Sequence, residues 1–537
     1  MTSSARCKTD RIYAEQAEKL PPCRTGCPGG ADVRGWIGVI AQREKSGLPA
    51  DEAYRRAWEI IVDRNPFPSV MGRICPHPCE DGCNRVDKDG AVSINAMERF
   101  IGDWAIERAW ALPVMDEGPQ AESIGVIGAG PAGLSFAYQM ARRGYSVHVY
   151  EASDTPGGML RHGIPAYRLP EDILAAEIAR IVAVGVELHL ASRIGGDLSL
   201  AKLRERHDAL FLGIGAQRAR RLGIPGEDGP GVWTGTEYLG RKKNGQPIDL
   251  GRKVAVIGGG NTAIDAARSA RRDGAEVVLV YRRSRDEMPA ADHEIEDALV
   301  EKVGIECLAA PVEIRRNDGH VRTLIVQKME LGELDASGRR RPVPIGGKQT
   351  EMEVDSVITA VSQEPEWDRL DQEAPDGARM ESRLWAGGDA LGLGTASIAI
   401  AQGRLAAETM QAELRGLPAP QPLSDHTVQT GQVKLDYYDG QERVQRAHIP
   451  TAQWLSQPDM EVDRTITREA FEGEAGRCLS CGLCFGCQQC WMYCNPSGYT
   501  RLETVGPGMY FSFDPEKCEG CGKCIEICPS GYLAPSE

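Results

Sequence analysis

Residues 124–151 have the pattern of a strand, a glycine-rich turn, a helix and a second strand. The apolar run Ile124–Ile127 predicts a buried strand, and glycines at 128, 130 and 133 predict a tight turn into a helix that begins at Pro131. A second apolar run ends on Glu151, a residue type that accepts a hydrogen bond from a ribose hydroxyl. Glycines at a helix N-terminus let a pyrophosphate approach the backbone, so the unit predicts nucleotide binding rather than an ordinary turn.

A second unit of the same kind follows at residues 253–285. Strand Lys253–Ile257 leads into the turn Gly258–Ala263, a helix ending near Arg272, and a strand over Glu276–Tyr281. This strand ends not on an acid but on Arg282 and Arg283. Because guanidinium groups can bind a 2'-phosphate that a carboxylate would repel, the pattern favours NADP(H) over NAD(H). A solvated basic loop is the alternative, and we interpret residues 339–341 as such a loop.

The strands around the second unit indicate that it is inserted into the first. Residues 209–215 predict a strand that returns to the first sheet, and residues 354–361 predict another apolar strand. Further along, residues 384–389 predict a strand that ends on Asp389, followed by a helix over 398–405. We therefore expect an α/β protein with two Rossmann-like nucleotide-binding domains, the second inserted in the first.

The remaining segments complete the expected domain order. We predict a helical iron–sulphur domain before the nucleotide domains, a surface connector after them, and a bacterial ferredoxin-like α+β domain at the end. The expected boundaries are 1–115 (helical iron–sulphur), 116–250 with 355–412 (first nucleotide), 251–354 (second nucleotide), 413–470 (connector) and 471–537 (ferredoxin-like).

The cysteines of the tail carry the most specific chemical signal. The chain has 17 cysteines, and eight of those in the tail form two runs with the spacing x2, x2, x3. That doubled spacing is typical of two 4Fe–4S clusters in a ferredoxin, where the fourth cysteine of each run binds the other cluster. A zinc ribbon is the alternative, but it has no use for the third and fourth cysteines. The predicted ligand sets are Cys484, Cys487, Cys490 and Cys528, and Cys518, Cys521, Cys524 and Cys494.

A second group of cysteines lies near the N-terminus. Five closely spaced thiols, two of them followed by proline, favour a third 4Fe–4S cluster over a structural zinc site. We predict Cys27, Cys75, Cys79 and Cys83 as its ligands and leave Cys23 as the spare thiol. In the tail, Cys478 and Cys481 are left over in the same way.

Bulk properties limit the remaining possibilities. A net charge of −15 argues against a nucleic-acid partner. The sequence has no apolar run long enough to span a membrane and no signal peptide, so we expect a cytoplasmic protein with reduced thiols. We find no Ser-His-Asp set and no His-Glu-x2-His motif, and we predict no catalytic side chain. The lack of a Cys-x2-Cys motif between the nucleotide units argues against a thioredoxin reductase type of enzyme.

Taken together, these motifs resemble the small-subunit family of glutamate synthase, FAD and NADPH flavoproteins that include the N-terminal half of dihydropyrimidine dehydrogenase. The resemblance covers about residues 20–415 and includes Ala91–Phe100, Gly157-Gly158-Met159 and Gly387-Gly388-Asp389. It implies that FAD is bound by Gly128, Gly130, Pro131, Ala132, Gly133, Glu151, Gly158, Met159, Arg161, Asp389 and Ser397. It implies that NADP(H) or NAD(H) is bound by Gly258, Gly260, Asn261, Thr262, Arg282 and Arg283.

The chain departs from the family pattern at two places. In the turn that follows strand 354–361, the family usually has a glycine before the glutamine, and this chain has Ser362 instead. The Cys-x2-Cys that usually lies upstream of Cys23 is also missing. The motif Arg477-Cys478-x2-Cys481 raises the hypothesis that Cys478, Cys481, Cys23 and Glu98 assemble a fourth cluster.

The resemblance, with the ferredoxin tail, implies an NAD(P)H:acceptor oxidoreductase subunit. Such a subunit passes electrons through FAD and 4Fe–4S clusters to or from a ferredoxin or a partner redox enzyme, of the dissimilatory sulfite reductase or 2-oxoacid oxidoreductase type. We expect a homodimer or a hetero-oligomer. Two alternatives stay open: a glutamate synthase small chain, which would leave the tail without a role, and a non-catalytic electron-carrier scaffold.

Overall fold

The computed structural model describes residues 11–115, 118–196, 198–336, 338–423 and 426–536. It divides into two compact units. One consists of Met1–Pro113, Pro420–Arg446 and Thr465–Glu537, and the other of Val114–Ala419 and Ala447–Arg464. The expected α/β class is confirmed. No helix in the described ranges has the length and apolar character needed to cross a bilayer.

The first nucleotide domain is built on a six-stranded sheet in the second unit. Five of its strands are parallel, and the sixth, Arg379–Glu381, pairs antiparallel at one edge. In spatial order the strands are Arg379–Glu381, Leu384–Ala386, Ala209–Leu212, Ser123–Ile127, Ser146–Tyr150 and Val186–His189. The helices are Pro131–Ala141, Met159–His162, Glu171–Ala183, Leu200–Arg206 and Ala396–Arg415, with short 3-10 turns at Trp367–Leu370 and Gly388–Ala390.

Two helices pack closely on one face of this sheet. A Cβ on Gly403 would lie 2.1 Å from the carbonyl oxygen of Ala132, so only glycine lets Ala396–Arg415 approach Pro131–Ala141. Phe136 and Phe211 stack beneath them with ring centroids 4.4 Å apart. This packing places the N-terminus of Pro131–Ala141 at the carboxyl edge of the parallel strands.

The second nucleotide domain is built on a five-stranded parallel sheet. In spatial order its strands are Gly304–Cys307, Glu276–Tyr281, Lys253–Ile257, Ser356–Thr359 and Val232–Thr234. The helices are Gly235–Lys243, Asn261–Arg272 and Asp292–Val300, with a 3-10 turn at Arg285–Glu287. A three-stranded antiparallel sheet, Ala309–Asn317, His320–Leu334 and Arg340–Glu353, and the short pair Arg218–Ala219 with Gln363–Glu364 complete it.

The predicted insertion is confirmed, but its boundaries differ from the expected ones. Strand Ser356–Thr359 pairs with Lys253–Ile257 and with Val232–Thr234, although the boundaries at 250 and 355 place 232–234 and 356–359 in the first domain. The strand Leu384–Ala386 does return to the first sheet, beside Ala209–Leu212. An apolar run predicts a buried strand without saying which of two neighbouring parallel sheets it enters.

The other unit contains the N-terminal helices and the tail. Its helices are Pro22–Thr25, Val33–Ala41, Ala50–Val62, Pro68–Ile74, Pro78–Asp81, Val86–Asp89, Ile94–Glu107, Arg468–Gly476, Gln489–Tyr493 and Lys523–Ile527, with 3-10 turns at Thr430–Gln432, Leu435–Tyr437 and Pro515–Lys517. Its strands form two antiparallel pairs, Ala14–Gln16 with Leu533–Pro535 and Tyr499–Gly506 with Met509–Phe513. Gly72 and Gly102 let Pro68–Ile74 and Ile94–Glu107 touch, because a Cβ on either would lie 2.3 Å from a backbone nitrogen.

The expected connector is divided between the units. Helix Ala396–Arg415 extends into it, Pro420–Arg446 belongs to the unit with the cysteines, and Ala447–Arg464 belongs to the nucleotide unit. The latter segment holds helix Thr451–Ser456, whose Trp454 is buried with Tyr167 and Val462. The segment is therefore partly core rather than a surface linker.

Candidate functional site

The first glycine-rich turn has a geometry that only glycine permits. Gly128 has a φ of 99°, and a Cβ there would lie 2.3 Å from the carbonyl oxygen of Gly213. A Cβ on Gly133 would lie 1.9 Å from the carbonyl oxygen of Gly128. Gly130 is different, since its missing Cβ would meet nothing closer than 4.0 Å. The first two glycines therefore shape the turn, and Gly130 leaves open space at the helix N-terminus.

A cavity of about 240 Å³ opens at this turn. Glu151 lies on its wall, with one carboxylate oxygen accepting from the backbone nitrogen of Ala129 at 2.7 Å and the other from that of Ser153 at 2.8 Å. The carboxylate is thereby fixed at the end of its strand, where a ribose would lie. The predicted residues that line the cavity are Gly128, Gly130, Pro131, Ala132, Glu151, Gly158, Met159 and Asp389.

Three predicted residues do not line this cavity. Gly133 lies beneath the turn, Arg161 donates from Nε to the carbonyl oxygen of Pro156 at 2.6 Å, and Ser397 shares a hydrogen bond with Thr395. They support the turn, the following loop and the start of helix Ala396–Arg415. Asp389 does line the cavity, and burial raises the pKa of its carboxyl.

Two polar side chains on the wall of the first cavity were not predicted. Arg193 is exposed and makes no ion pair with any described residue, and Gln217 lies on the same wall. Both follow strands of the first sheet, Val186–His189 and Ala209–Leu212. Ligands of such sheets lie beyond the carboxyl ends of the strands. The position of these two residues after strands could therefore have predicted them from the sequence.

The second glycine-rich turn borders a larger cavity of about 930 Å³. All the glycines from 258 to 260, with Asn261 and Thr262, lie on its wall. A Cβ on Gly260 would meet only Pro289, at 3.8 Å, so the backbone there is open to the cavity. This arrangement repeats that of the first turn and fits a second nucleotide.

The two predicted arginines after strand Glu276–Tyr281 have different roles. Both border the second cavity, but Arg283 is buried, donates from Nη2 to Asp335 at 2.5 Å and from Nε to the carbonyl oxygen of Arg340 at 2.8 Å. Arg282 is exposed and has no ion pair among the described residues. Arg283 therefore holds the loop together, and Arg282 is the guanidinium available to a phosphate.

Arg339 also lies on the wall of the second cavity. The interpretation of residues 339–341 as a loop is wrong for Arg340 and Arg341, which begin the strand Arg340–Glu353. The backbone nitrogen of Arg340 donates to Glu287 at 2.8 Å, which joins the strand Arg340–Glu353 to the loop after Glu276–Tyr281. This contact between segments about 50 residues apart brings Arg339 to the cavity, and no local sequence pattern predicts such a contact.

Ser362 borders the second cavity with a φ of 150°. This is a region of backbone conformation that glycine adopts much more easily than serine. Its carbonyl oxygen accepts from the backbone nitrogen of Arg220 at 3.0 Å. The turn keeps a glycine-like conformation although its residue has changed.

The structure brings tail cysteines from the two runs close together. Cys484, Cys487, Cys490 and Cys528 surround one small cavity, so the last cysteine of the second run joins the first run. The Cys524 thiol interacts with those of Cys518 and Cys521, and Tyr499 lies against both Cys524 and Cys494. The backbone nitrogen of Gly498 donates to the Cys494 sulphur at 3.3 Å, the type of contact that stabilises an anionic sulphur.

The N-terminal cysteines group differently from the prediction. Cys27, Cys75 and Cys79 lie together, but the fourth side chain is Glu98, not Cys83. Glu98 accepts from Asn65 at 2.8 Å and makes no ion pair within the described part of the chain. Backbone nitrogens of Gly29, Gly30 and Ala31 donate to Cys27, and that of His77 to Cys75 at 3.4 Å. Cys83 instead lies with Cys23, Cys478 and Cys481.

The separation of the sulphurs distinguishes between metals. In a tetrahedral zinc site with Zn–S bonds of about 2.3 Å the sulphurs are about 3.8 Å apart. Among the described residues, the only three or more His, Cys, Asp or Glu ligand atoms within 4.8 Å of one another belong to His148, Glu187 and His189. No group of three described cysteines is that compact, so the donor sets and their backbone hydrogen bonds fit iron–sulphur cubanes better than single zinc ions.

Two nucleotide cavities at the edges of parallel sheets, together with grouped thiols in the ferredoxin pattern, define a nicotinamide-nucleotide-dependent flavoprotein with iron–sulphur centres. Residues 122–403 match the model of the pyridine nucleotide-disulphide oxidoreductases, and the chain belongs to that family. Residues 3–110 match domain II of dihydropyrimidine dehydrogenase, a 4Fe–4S cluster domain, and residues 510–534 match a 4Fe–4S binding domain. The chain thus has an FAD- and NADPH-binding fold and 4Fe–4S domains.

Three relatives illustrate the similarity. The beta subunit of the NADP(+)-dependent formate dehydrogenase of Moorella thermoacetica is 36% identical over 86% of this chain and 70% of its own. The beta subunit of the NADPH-Fe(3+) oxidoreductase of Geobacter sulfurreducens is 38% identical over 68% of this chain, which spans only 53% of that relative. The glutamate synthase [NADPH] small chain of Escherichia coli is 32% identical over 72% of this chain and 87% of its own. The predicted resemblance to glutamate synthase small chains is confirmed.

Proposed function

We propose that the chain is an electron-transfer subunit that connects NADPH, through FAD and three 4Fe–4S clusters, with a partner redox enzyme. The observation that carries the proposal is the presence, in one chain, of two nucleotide cavities and of three groups of cysteine side chains. A glutamate synthase small chain would need no ferredoxin tail. A non-catalytic scaffold would need neither an open Gly130 nor an open Gly260.

Each proposed site has a structural feature that fits its group. The open backbone at Gly130 and the fixed carboxylate of Glu151 fit the pyrophosphate and ribose of FAD in the first cavity. The open backbone at Gly260 and the exposed Arg282 fit NADPH in the second. When bound, FAD takes up electrons as a pair and releases them singly, and 4Fe–4S clusters carry them one at a time.

The protein's own residues bind and orient these groups. Cys27, Cys75, Cys79 and Glu98 would hold one cluster, with the backbone of residues 29–31 donating to its sulphur ligands. The two tail sets would hold the others. The partner in turn is proposed to be a redox enzyme because two of the relatives are beta subunits of oxidoreductases.

Anaerobic reduction tests this function with two variants. NADPH should bleach the flavin absorbance of the wild-type protein and then generate the electron paramagnetic resonance signal of reduced clusters. The substitution Gly130→Val fills the space at the first turn, so the variant protein should contain the clusters but no flavin. Gly260→Val should contain flavin that dithionite reduces and NADPH does not.

Two outcomes would contradict the proposal. One is wild-type protein without flavin, and the other is reduction of Gly260→Val by NADPH at the wild-type rate. Affinity purification from the native host identifies the partner: a redox enzyme supports the proposal, and a glutaminase-bearing glutamate synthase large chain favours the small-chain alternative.

A further inference from the structure

Four thiols from the two ends of the sequence meet in the unit that contains the cysteines. Cys23 lies on helix Pro22–Thr25, Cys83 follows helix Pro78–Asp81, and Cys478 and Cys481 follow helix Arg468–Gly476. All four line one small apolar cavity with Ile37 and Val92. The Cys23 sulphur lies within electrostatic range of the other three. None of the four belongs to the three sites of the proposed function.

The backbone that carries Cys478 and Cys481 is fixed to the N-terminal helices by buried hydrogen bonds. Arg34 donates from Nη1 to the carbonyl oxygen of Cys481 at 2.8 Å. Arg477 is fully buried, donates from Nη1 to the carbonyl oxygen of Ala91 at 3.1 Å and from Nη2 to Asp89 at 2.8 Å. The four thiols are therefore held together by the surrounding polar network and not by chance contact of a loose loop.

The surroundings of the four thiols suit an anionic centre. Asn84 donates from Nδ2 to the Cys481 sulphur at 3.4 Å. The guanidinium groups of Arg34 and Arg85, both buried, interact electrostatically with the Cys478 sulphur. A cubane with four thiolates carries a net negative charge, so buried cations and an amide donor lower the cost of enclosing it.

We propose that Cys23, Cys83, Cys478 and Cys481 bind a fourth 4Fe–4S cluster, whose ligands come in pairs from the N-terminal domain and from the start of the tail. The pair Cys478 and Cys481 supplies the two ligands that the chain does not offer upstream of Cys23. Among the described residues no three of these sulphurs lie within 4.8 Å of one another, an arrangement more open than a zinc site and closer to that of a cubane. The choice of an iron–sulphur cluster rests on the proposed function of the chain as a carrier of electrons.

Metal analysis of the full-length protein, purified and handled anaerobically, tests this site. Wild-type protein should contain about 16 iron atoms and as many acid-labile sulphides per chain, four for each of four cubanes. The double variant Cys478→Ser with Cys481→Ser should contain about 12 of each. Cys307→Ser is the matched control, since Cys307 lies on strand Gly304–Cys307 of the nucleotide unit, and should match the wild type.

The wild-type count keeps the test valid even if the double variant folds poorly. About 12 irons in the wild type, about one zinc per chain, or an unchanged iron count in a well-folded double variant would each overturn the fourth cluster. Flavin bleaching by NADPH separates this result from the proposed function. Bleaching with 12 irons rejects only the cluster, whereas 16 irons without bleaching rejects only the proposed function.

Discussion

Replacing Arg282 by alanine should change which nicotinamide nucleotide the protein uses. Arg282 is exposed on the wall of the second cavity and has no ion pair among the described residues, so its guanidinium is free to meet a 2'-phosphate. NADH lacks that phosphate. The variant should therefore bind NADPH more weakly and leave NADH binding unchanged.

The expected size of the effect follows from the exposure of Arg282. A hydrogen bond to a charged group contributes about 1.5–3 kcal/mol, and the lower end applies to a guanidinium in contact with water. About 1.5–2 kcal/mol corresponds to a rise of about 10- to 30-fold in the KM for NADPH. The difference should shrink at high ionic strength, because salt screens an exposed charge pair.

Steady-state reduction of a one-electron dye with each nucleotide measures the effect. Arg285→Ala is the matched control, since it removes the same charge from the same loop at a residue that does not border the cavity. Arg283→Ala should lower the melting temperature, because it removes the buried guanidinium that binds Asp335 and the carbonyl oxygen of Arg340. Equal losses with NADPH and NADH, or an equal effect in Arg285→Ala, would refute the assignment of Arg282.

Three further predictions concern the nucleotide unit. The Gly133→Ala variant should lose most of its bound flavin, because the new Cβ would lie 1.9 Å from the carbonyl oxygen of Gly128. The control variant Gly377→Ala, whose Cβ would enter open space, should retain the flavin. Equal flavin-to-protein ratios in the two variants would contradict this reasoning. The Ser362→Gly variant should have a higher melting temperature, because relief of about 1–3 kcal/mol of backbone strain exceeds the entropic cost of glycine, about 0.5–1 kcal/mol. A lower melting temperature would show that the backbone of Ser362 is not strained. Burial, with the nearby His148, Arg206 and His189, lowers the pKa of His207 from 6.5 to about 4. As the pH falls, the unfolded chain therefore binds a proton at His207 before the folded protein does. The contribution of His207 to the free energy of unfolding is full above pH 6.5 and decreases as the pH drops toward 4. Because the ring is half exposed, this decrease is about 1 kcal/mol. Thermal melts across that window should show a shallower decline in His207→Gln, and parallel curves would exclude His207 as the cause.

The features that the sequence predicted well are local. Each glycine-rich turn lies between two apolar strands within 30 residues, and each tail run places its cysteines within 11 residues, so spacing alone indicates the arrangement. The exchange of the fourth cysteine between runs follows from a known spacing rule. These parts of the fold and site needed no knowledge of tertiary packing.

The features that were missed depend on contacts between distant segments. Cys83 and Glu98 are both plausible fourth ligands near Cys79, and only the packing of helix Ile94–Glu107 against its neighbours selects Glu98. Arg283 and Arg282 are adjacent, yet Arg283 is buried and binds Asp335, which follows the distant strand His320–Leu334. The apolar pattern of strand Ser356–Thr359 would suit a position in either of the two parallel sheets. Periodicity and residue type carry no information on such choices.

The antiparallel pair of Ala14–Gln16 with Leu533–Pro535 has a consequence for how the chain matures in the cell. During synthesis at 5–20 residues per second, the first strand waits roughly 25–100 s for its partner. Until then its edge is bare and open to mispairing with other chains. A ferredoxin-like tail expressed alone would have the complementary defect, so grafting it onto another protein requires carrying the 11–20 segment along.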